Sequence, residues 1–248
     1  MKIITIGDVH GRNNWKNFLY SLDKNDNYSE CLIGKTIDKV VFIGDYVDSY
    51  DVSNSNIISN LEEILNLKSN YPDNVVLLWG NHDVAYFKKE GNISGFRPEI
   101  SINLYDLFNS NRDLFQLSYQ IDNIIWTHAG IHKGWWEYEI VPYINNKKMN
   151  RFNKFLEECE NISEYLNLMF NFNYEPIFMV SRRRGGNNKV GGPLWADKFE
   201  IYNKPIENYH QIVGHTPVKT PITYQFKGLT KVTFCDCLSN DKFYSLNI

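Results

Sequence analysis

Short apolar runs that end in glycine-containing polar clusters set the rhythm of the chain. Lys2 to Ile6 is an apolar run of strand type, Asn13 to Leu22 has the look of a helix, and Asp38 to Ile43 is again apolar and β-branched. Asn54 to Leu67 places Ile57, Ile58, Leu61, Ile64, Leu65 and Leu67 at helical intervals, and the strand Val75 to Trp79 follows. This β-α-β-α-β opening predicts largely parallel, buried strands whose carboxyl ends form one ligand-binding rim. Farther on, Asn123 to Thr127 and Gln211 to Val213 read as strands, as do the closing segments Ile222 to Phe226, Lys231 to Cys235 and Phe243 to Leu246.

Between these lies a helical stripe at Phe152, Phe155, Leu156, Cys159, Ile162, Tyr165, Leu166, Met169 and Phe170. It predicts a helical insertion around residues 135–180, packed as an excursion from the fold, with a lid over the site as the alternative. A turn-rich basic loop, Ser181 to Asn188, comes after it. The fold class expected is α/β (α+β), in one catalytic domain spanning 1–248.

Five of the polar clusters carry chemistry: Gly7-Asp8-Val9-His10-Gly11, Gly44-Asp45-Tyr46-Val47-Asp48, Gly80-Asn81-His82-Asp83, Thr127-His128-Ala129-Gly130 and Gly214-His215-Thr216-Pro217. Each is placed where an apolar strand runs out. Their mixture of carboxylate, amide and imidazole donors suits a pair of hard to borderline divalent metals. With each residue type near about 5% of positions, three such four-position matches in order are not an accident of composition.

Asp8 and His10, two apart beyond a strand, can reach one metal, and Asp45 has two oxygens with which to bridge to a second. Asn81, His128 and His215 complete that second ion's shell. Ions in such a pair share a water whose pKa falls toward about 7. His82 leaves the chain in a different direction from its neighbour Asn81, which assigns it to the leaving-group oxygen as general acid, with Asp48 accepting its other N–H. Phosphate also needs cationic donors: Arg12 follows the first cluster and is the better single candidate, and Arg183 and Arg184 lie in the basic loop. His132 and His210 have no such cluster around them and read as structural residues. Trp135 and Trp136 read as core, with stacking on a base as the alternative.

These clusters resemble those of the calcineurin-like metallophosphoesterase superfamily, and within it the branch of Ser/Thr protein phosphatases, their bacterial and phage relatives, and diadenosine tetraphosphatases. Gly191-Gly192-Pro193-Leu194-Trp195-Ala196-Asp197 and the late Asp236 extend the resemblance. It implies a four-layer α/β/β/α sandwich of two mixed sheets and a dinuclear centre of Mn, or of Fe, Zn, Ni or Mg. By matching motifs it puts Asp8, His10 and Asp45 on one metal, Asp45, Asn81, His128 and His215 on the other, and Asp48 with His82 as the acid pair. Two departures stand out. Ser49-Tyr50 replaces the Arg-Gly that follows the second aspartate in protein phosphatases, and Asp83 replaces a glutamate. The first removes a phosphate-binding arginine.

The function this implies is direct attack of metal-bound hydroxide on a phosphomonoester, of a phosphoprotein or a small nucleotide-like molecule. Hydrolysis of a phosphodiester or dinucleoside polyphosphate is the alternative, and a non-catalytic interaction module is a third reading. Net charge is −3 with no basic tail or stripe, which argues against nucleic acid as the main partner. No apolar run reaches the roughly 18 residues needed to span a bilayer. The opening apolar run meets Gly7-Asp8 at once and reads as a strand rather than a signal peptide, so a bacterial or phage-infected cytosol is expected. Four cysteines without a paired C-x-x-C framework predict reduced thiols, with Cys235 and Cys237 packed in the core.

Overall fold

A computed structural model describes residues 1–91, 93–145 and 153–248. Its strands are β1 (Lys2–Ile6), β2 (Tyr20–Leu22), β3 (Tyr28–Cys31), β4 (Lys39–Phe42), β5 (Val75–Leu78), β6 (Phe115–Gln116), β7 (Ser118–Ile121), β8 (Ile124–Thr127), β9 (His210–Pro217), β10 (Ile222–Gln225), β11 (Lys231–Asp236) and β12 (Tyr244–Asn247). The chain divides into two compact units. The first holds Met1–Gln116, Pro217–Pro221 and Cys235–Ile248, and the second Leu117–Thr216 and Ile222–Phe234.

In the first unit a five-stranded sheet runs in the order β12-β1-β4-β5-β6. β1, β4, β5 and β6 are parallel, and β12 closes the edge antiparallel to β1. Ile3, Ile6, Val40, Val41, Phe42 and Leu77 are wholly buried, each contributing roughly 1.5–3 kcal/mol of apolar burial. Helix Asn54–Asn70 covers part of this core with Ile57, Leu61, Ile64, Leu65 and Leu67. Ser53 caps it, its hydroxyl accepting from Asn56 N at 3.3 Å. Because β1, β4 and β5 are adjacent and parallel, the loops that leave their carboxyl ends lie side by side on one rim.

In the second unit a mixed sheet has the order β10-β11-β9-β8-β7. β8 and β9 are parallel, with Thr127 opposite Val213, while β7–β8 and β10–β11 are antiparallel. The insertion is helical: a π-helical turn at Trp136–Ile140, then helices at Val141–Asn145, Asn153–Leu156 and Ile162–Asn171. Leu166, Met169 and Phe170 of its stripe are buried, whereas Phe152 lies outside the described residues. No helix among the described residues is long and apolar enough to cross a membrane.

Two expectations need correction. Only Lys16–Leu19 of the segment Asn13 to Leu22 is helical. Tyr20–Leu22 is instead a strand paired with β3, because Asp23 Oδ1 accepts from Asn25 N and Asn27 N and makes a tight turn between them. The fifth cluster does not follow a strand but lies inside β9, which continues through Gly214, His215 and Thr216. The strands β3, β6 and β7 and the helices Asn81–Phe87 and Ser101–Ser110 are additions to the sequence reading. β6 is only a two-residue strand, too short to show a period.

Candidate active site

Three loops build the rim of the first unit. The Asp45 carbonyl accepts from Val9 N at 3.0 Å and His10 N at 2.7 Å, and Tyr46 O accepts from Gly11 N at 2.9 Å, which locks the β1 loop onto the β4 loop. The β4 and β5 loops approach still closer. A Cβ on Gly44, whose φ is +99°, would lie 2.3 Å from Gly80 N, and one on Gly80 would lie 2.2 Å from both Asp45 N and Asp45 Oδ1. Only glycine lets the backbones meet there.

The functional side chains are held in strained backbone. His10, Asp45 and Asp48 have φ of +47°, +51° and +61°, in the left-handed region that costs a residue with a Cβ on the order of 1 kcal/mol. Such strain persists because the interlocked loops over-determine the conformation.

Asp8, His10 and Asp45 each offer a ligand atom, all within 4.8 Å of one another, and Asp8 and Asp45 are buried. His10 Nδ1–H donates to Asp48 O at 2.6 Å and Val47 O at 2.9 Å. That fixes the tautomer and leaves Nε2, 3.9 Å from Asp45 Oδ2, as the atom that could hold a metal. Two buried carboxylates and an oriented imidazole form a donor set that suits a divalent cation, which would also offset the cost of burying both charges. Asn81 is buried at the start of helix Asn81–Phe87, directly after the β5 loop.

His82 is the next residue of that helix. Its Nδ1–H donates to Asp48 Oδ2 at 2.8 Å, and its backbone N–H to Asp45 Oδ1 at 3.0 Å. The His82 side chain keeps 13% of its surface exposed while that of Asp48 keeps 1%, so Nε2 can meet a substrate that Asp48 cannot. Burial opposes a charge on this imidazole, but Asp45, the bond and charge of Asp48, and Asp83 outweigh it and push the pKa up to about 9. The site favours the protonated, proton-donating form.

Asp83 is the residue whose role the sequence did not disclose. Its carboxylate is wholly buried and accepts from Tyr46 N at 2.8 Å, Asp45 N at 2.7 Å and Gly80 N at 2.9 Å. An acidic residue at the third position of a helix is a capping signal, yet nothing in the spacing shows that it reaches across to the β4 loop. Ser49 is buried and Tyr50 is 87% exposed. Arg97, which the sequence reading did not single out, donates to the Ser49 carbonyl and to Asn54 Oδ1. Arg12 pairs with Asp51 at 3.0 Å.

The second unit carries the other two histidines. His128 follows β8 and is wholly buried, and its Nε2 lies 3.1 Å from His215 Nδ1. Gly214 N donates to His128 O at 2.9 Å, and Ala129 N to Pro193 O at 2.7 Å, which ties the Gly191–Asp197 segment to the histidine loop. His215 has φ +62° and packs edge-on against Trp195, centroids 5.9 Å apart. Arg184 donates to Thr216 Oγ1, one residue from His215, and its Nε pairs with Asp197 at 3.2 Å. Arg183 is exposed, 5.4 Å from the Phe199 ring centroid. His132 caps the helix at Lys133, accepting from Gly134 N at 3.0 Å, and His210 Nε2 meets Thr233 Oγ1 at 2.8 Å. Trp135 is core, its indole N–H donating to Pro176 O at 3.1 Å. All four thiols are free, and those of Cys235 and Cys237 are buried.

A buried cluster of carboxylates and imidazole at the ends of parallel strands, beside a histidine held by a buried carboxylate, is the arrangement of a metal-dependent hydrolase of phosphoric esters. The chain belongs to the calcineurin-like phosphoesterases, whose family model matches residues 1–219. Among solved structures it is similar to the cold-active protein-tyrosine phosphatase of the psychrophile Shewanella sp., at 17% identity and a TM-score of 0.56, covering 95% of this chain and 71% of that one. A point mutant of a cold-active protein tyrosine phosphatase gives 17% identity and a TM-score of 0.55, with the same coverage. At these identities the likeness is one of fold. No curated protein matches.

Proposed function

We propose that the chain is a phosphomonoesterase with a dinuclear metal centre, of the Ser/Thr protein phosphatase-like branch. Asp8, His10 and Asp45 serve one ion, and Asp45, Asn81, His128 and His215 the other. The first set is supported by the cluster in the first unit, and the second by the family match and the order of the motifs. Manganese is the first candidate among divalent ions that accept mixed oxygen and nitrogen donors. When bound, such ions lower the pKa of a shared water toward neutrality and neutralise phosphate oxygens.

The residues do the rest. His82 carries the proton at Nε2 that the leaving ester oxygen needs, and Asp48 holds the opposite nitrogen so that Nε2 faces outward. Asp83 fixes the loops that carry Asp45 and Gly80. Arg184, which donates to Thr216 next to His215, is the preferred grip on the phosphate, with the exposed Arg183 and, in the first unit, Arg12 as the other candidates. We read both units as parts of one catalytic domain.

The 2.8 Å contact between His82 and Asp48 carries the reading, since an acid poised for the leaving group is what a poor alkoxide leaving group requires. The Shewanella protein named above as a protein-tyrosine phosphatase is also a monoesterase by its name. The alternative is a diesterase or dinucleoside polyphosphate hydrolase, favoured by Ser49-Tyr50 in place of Arg-Gly. Turnover by Mn-loaded protein on phosphoserine peptide, 4-nitrophenyl phosphate, bis(4-nitrophenyl) phosphate and diadenosine tetraphosphate decides. Monoester turnover well above the other two supports the reading, and the reverse order replaces it.

A further inference from the structure

The acid pair has a third member on helix Asn81–Phe87. Tyr86 Oη donates to Asp48 Oδ1, while Asp48 Oδ2 takes the His82 N–H at 2.8 Å. The two carboxylate oxygens are therefore both committed, one to phenol and one to imidazole. Oη in turn accepts from Arg97 N at 2.8 Å, so the hydroxyl has one donor direction left and spends it on Asp48. Tyr86 is 1% exposed, and its ring stacks on Phe96 with centroids 4.8 Å apart and planes 21° from parallel. It cannot turn away without breaking that packing.

Asp48 has two χ torsions, and with only one partner its second oxygen would be free to rotate away from His82. We propose that Tyr86 is a positioning residue for the general acid, fixing the Asp48 carboxylate so that His82 presents Nε2 to the leaving group. A phenylalanine would fill the same packing, so the hydroxyl's place is explained by its partners and not by the core. Here burial, and after it the hydrogen bond to Asp48, raise the phenol's pKa well above its ordinary value, so it stays a donor throughout the working range.

The inference rests on the reading of His82 as general acid, and the test separates the two. Wild type, Tyr86→Phe and His82→Asn are compared on a phosphoserine peptide, whose alkoxide leaves poorly, and on 2,4-dinitrophenyl phosphate, whose leaving group needs no proton. General acids contribute on the order of 10²–10⁴ in rate. His82→Asn should lose a factor in that range on the peptide alone, and Tyr86→Phe about ten-fold on the peptide with less than about two-fold on the aryl ester, in kcat and not in KM. Equal losses on both substrates, or none, for Tyr86→Phe overturn the positioning role while leaving His82 intact. If His82→Asn itself shows no leaving-group dependence, the acid reading falls and the inference with it. A second readout needs no turnover. In metal-free protein the low-field imidazole N–H resonance of His82 should broaden in Tyr86→Phe, and an unchanged resonance overturns the inference.

Discussion

The Asp83 carboxylate holds the backbone of Asp45: Oδ2 accepts the Asp45 N–H at 2.7 Å, and the same side chain takes Tyr46 N and Gly80 N. A helix-capping residue thus ties together two strand-end loops that are distant in sequence. Replacing it by alanine leaves three buried N–H groups without their partner, each costing about 1–3 kcal/mol. Asp83→Ala should therefore lose at least about 3 kcal/mol in urea unfolding of the metal-free protein. A loss under about 1 kcal/mol would show that water or neighbouring groups take over the three donors.

Gly80 gives a steric version of the same claim. A Cβ there would meet Asp45 Oδ1 and Asp45 N at 2.2 Å, both in rigid surroundings. Gly80→Ala should displace the Asp45 carboxylate and weaken metal affinity more than it lowers the melting temperature. Titration calorimetry with Mn, beside a thermal scan without metal, measures both. Unchanged affinity would mean that the loops are free to move apart.

Strand ends and loops are where the sequence was most legible. Asp8, His10, Asp45, Asn81 and His82 each sit within a few residues of an apolar run that could be read as a strand, because parallel neighbours place such ends on one rim. Legibility failed where the cause was long-range. β2 and β3 form because Asp23 turns the chain, against a helical-looking spacing before it. β9 runs on through Gly214 and His215, since a partner strand and not local propensity decides where a strand stops. Asp83 and Tyr86 were invisible as functional groups because their meaning lies in what they reach, the Asp45 loop and the Asp48 carboxylate.

Arg184 and Arg12 should separate in kinetics. Arg184 reaches Thr216 and Asp197, whereas Arg12 is paired with the exposed Asp51. A charge-assisted contact is worth about 1.5–3 kcal/mol, so Arg184→Ala should raise KM for a phosphopeptide roughly ten-fold or more. Arg12→Ala should change it by less than about three-fold. The opposite order would move the phosphate grip to Arg12.

His210 predicts a pH dependence of stability outside the candidate site. Burial, and then nearby Lys231, lower its pKa to about 4, against about 6.5 for the unfolded chain. Below pH about 6.5 the unfolded chain binds more protons, so this group costs nothing at neutral pH and stability falls as pH drops toward about 4. The loss approaches 3 kcal/mol, at about 1.4 kcal/mol for each pH unit. The difference between wild type and His210→Gln in urea unfolding, followed from pH 7.5 to 4, isolates it. A difference independent of pH would show that the ring titrates alike in the folded and the unfolded chain.

The central claim is that the strand-end ligands hold two divalent ions that serve phosphoester hydrolysis. Its most direct measurement is the metal content of Mn-loaded, desalted protein by elemental analysis, taken with 4-nitrophenyl phosphate turnover on the same samples. Wild type should carry two ions per chain, and Asp45→Asn at most one with turnover lost. Wild type that turns over undiminished with no metal, or Asp45→Asn that keeps both ions and full activity, would contradict the account.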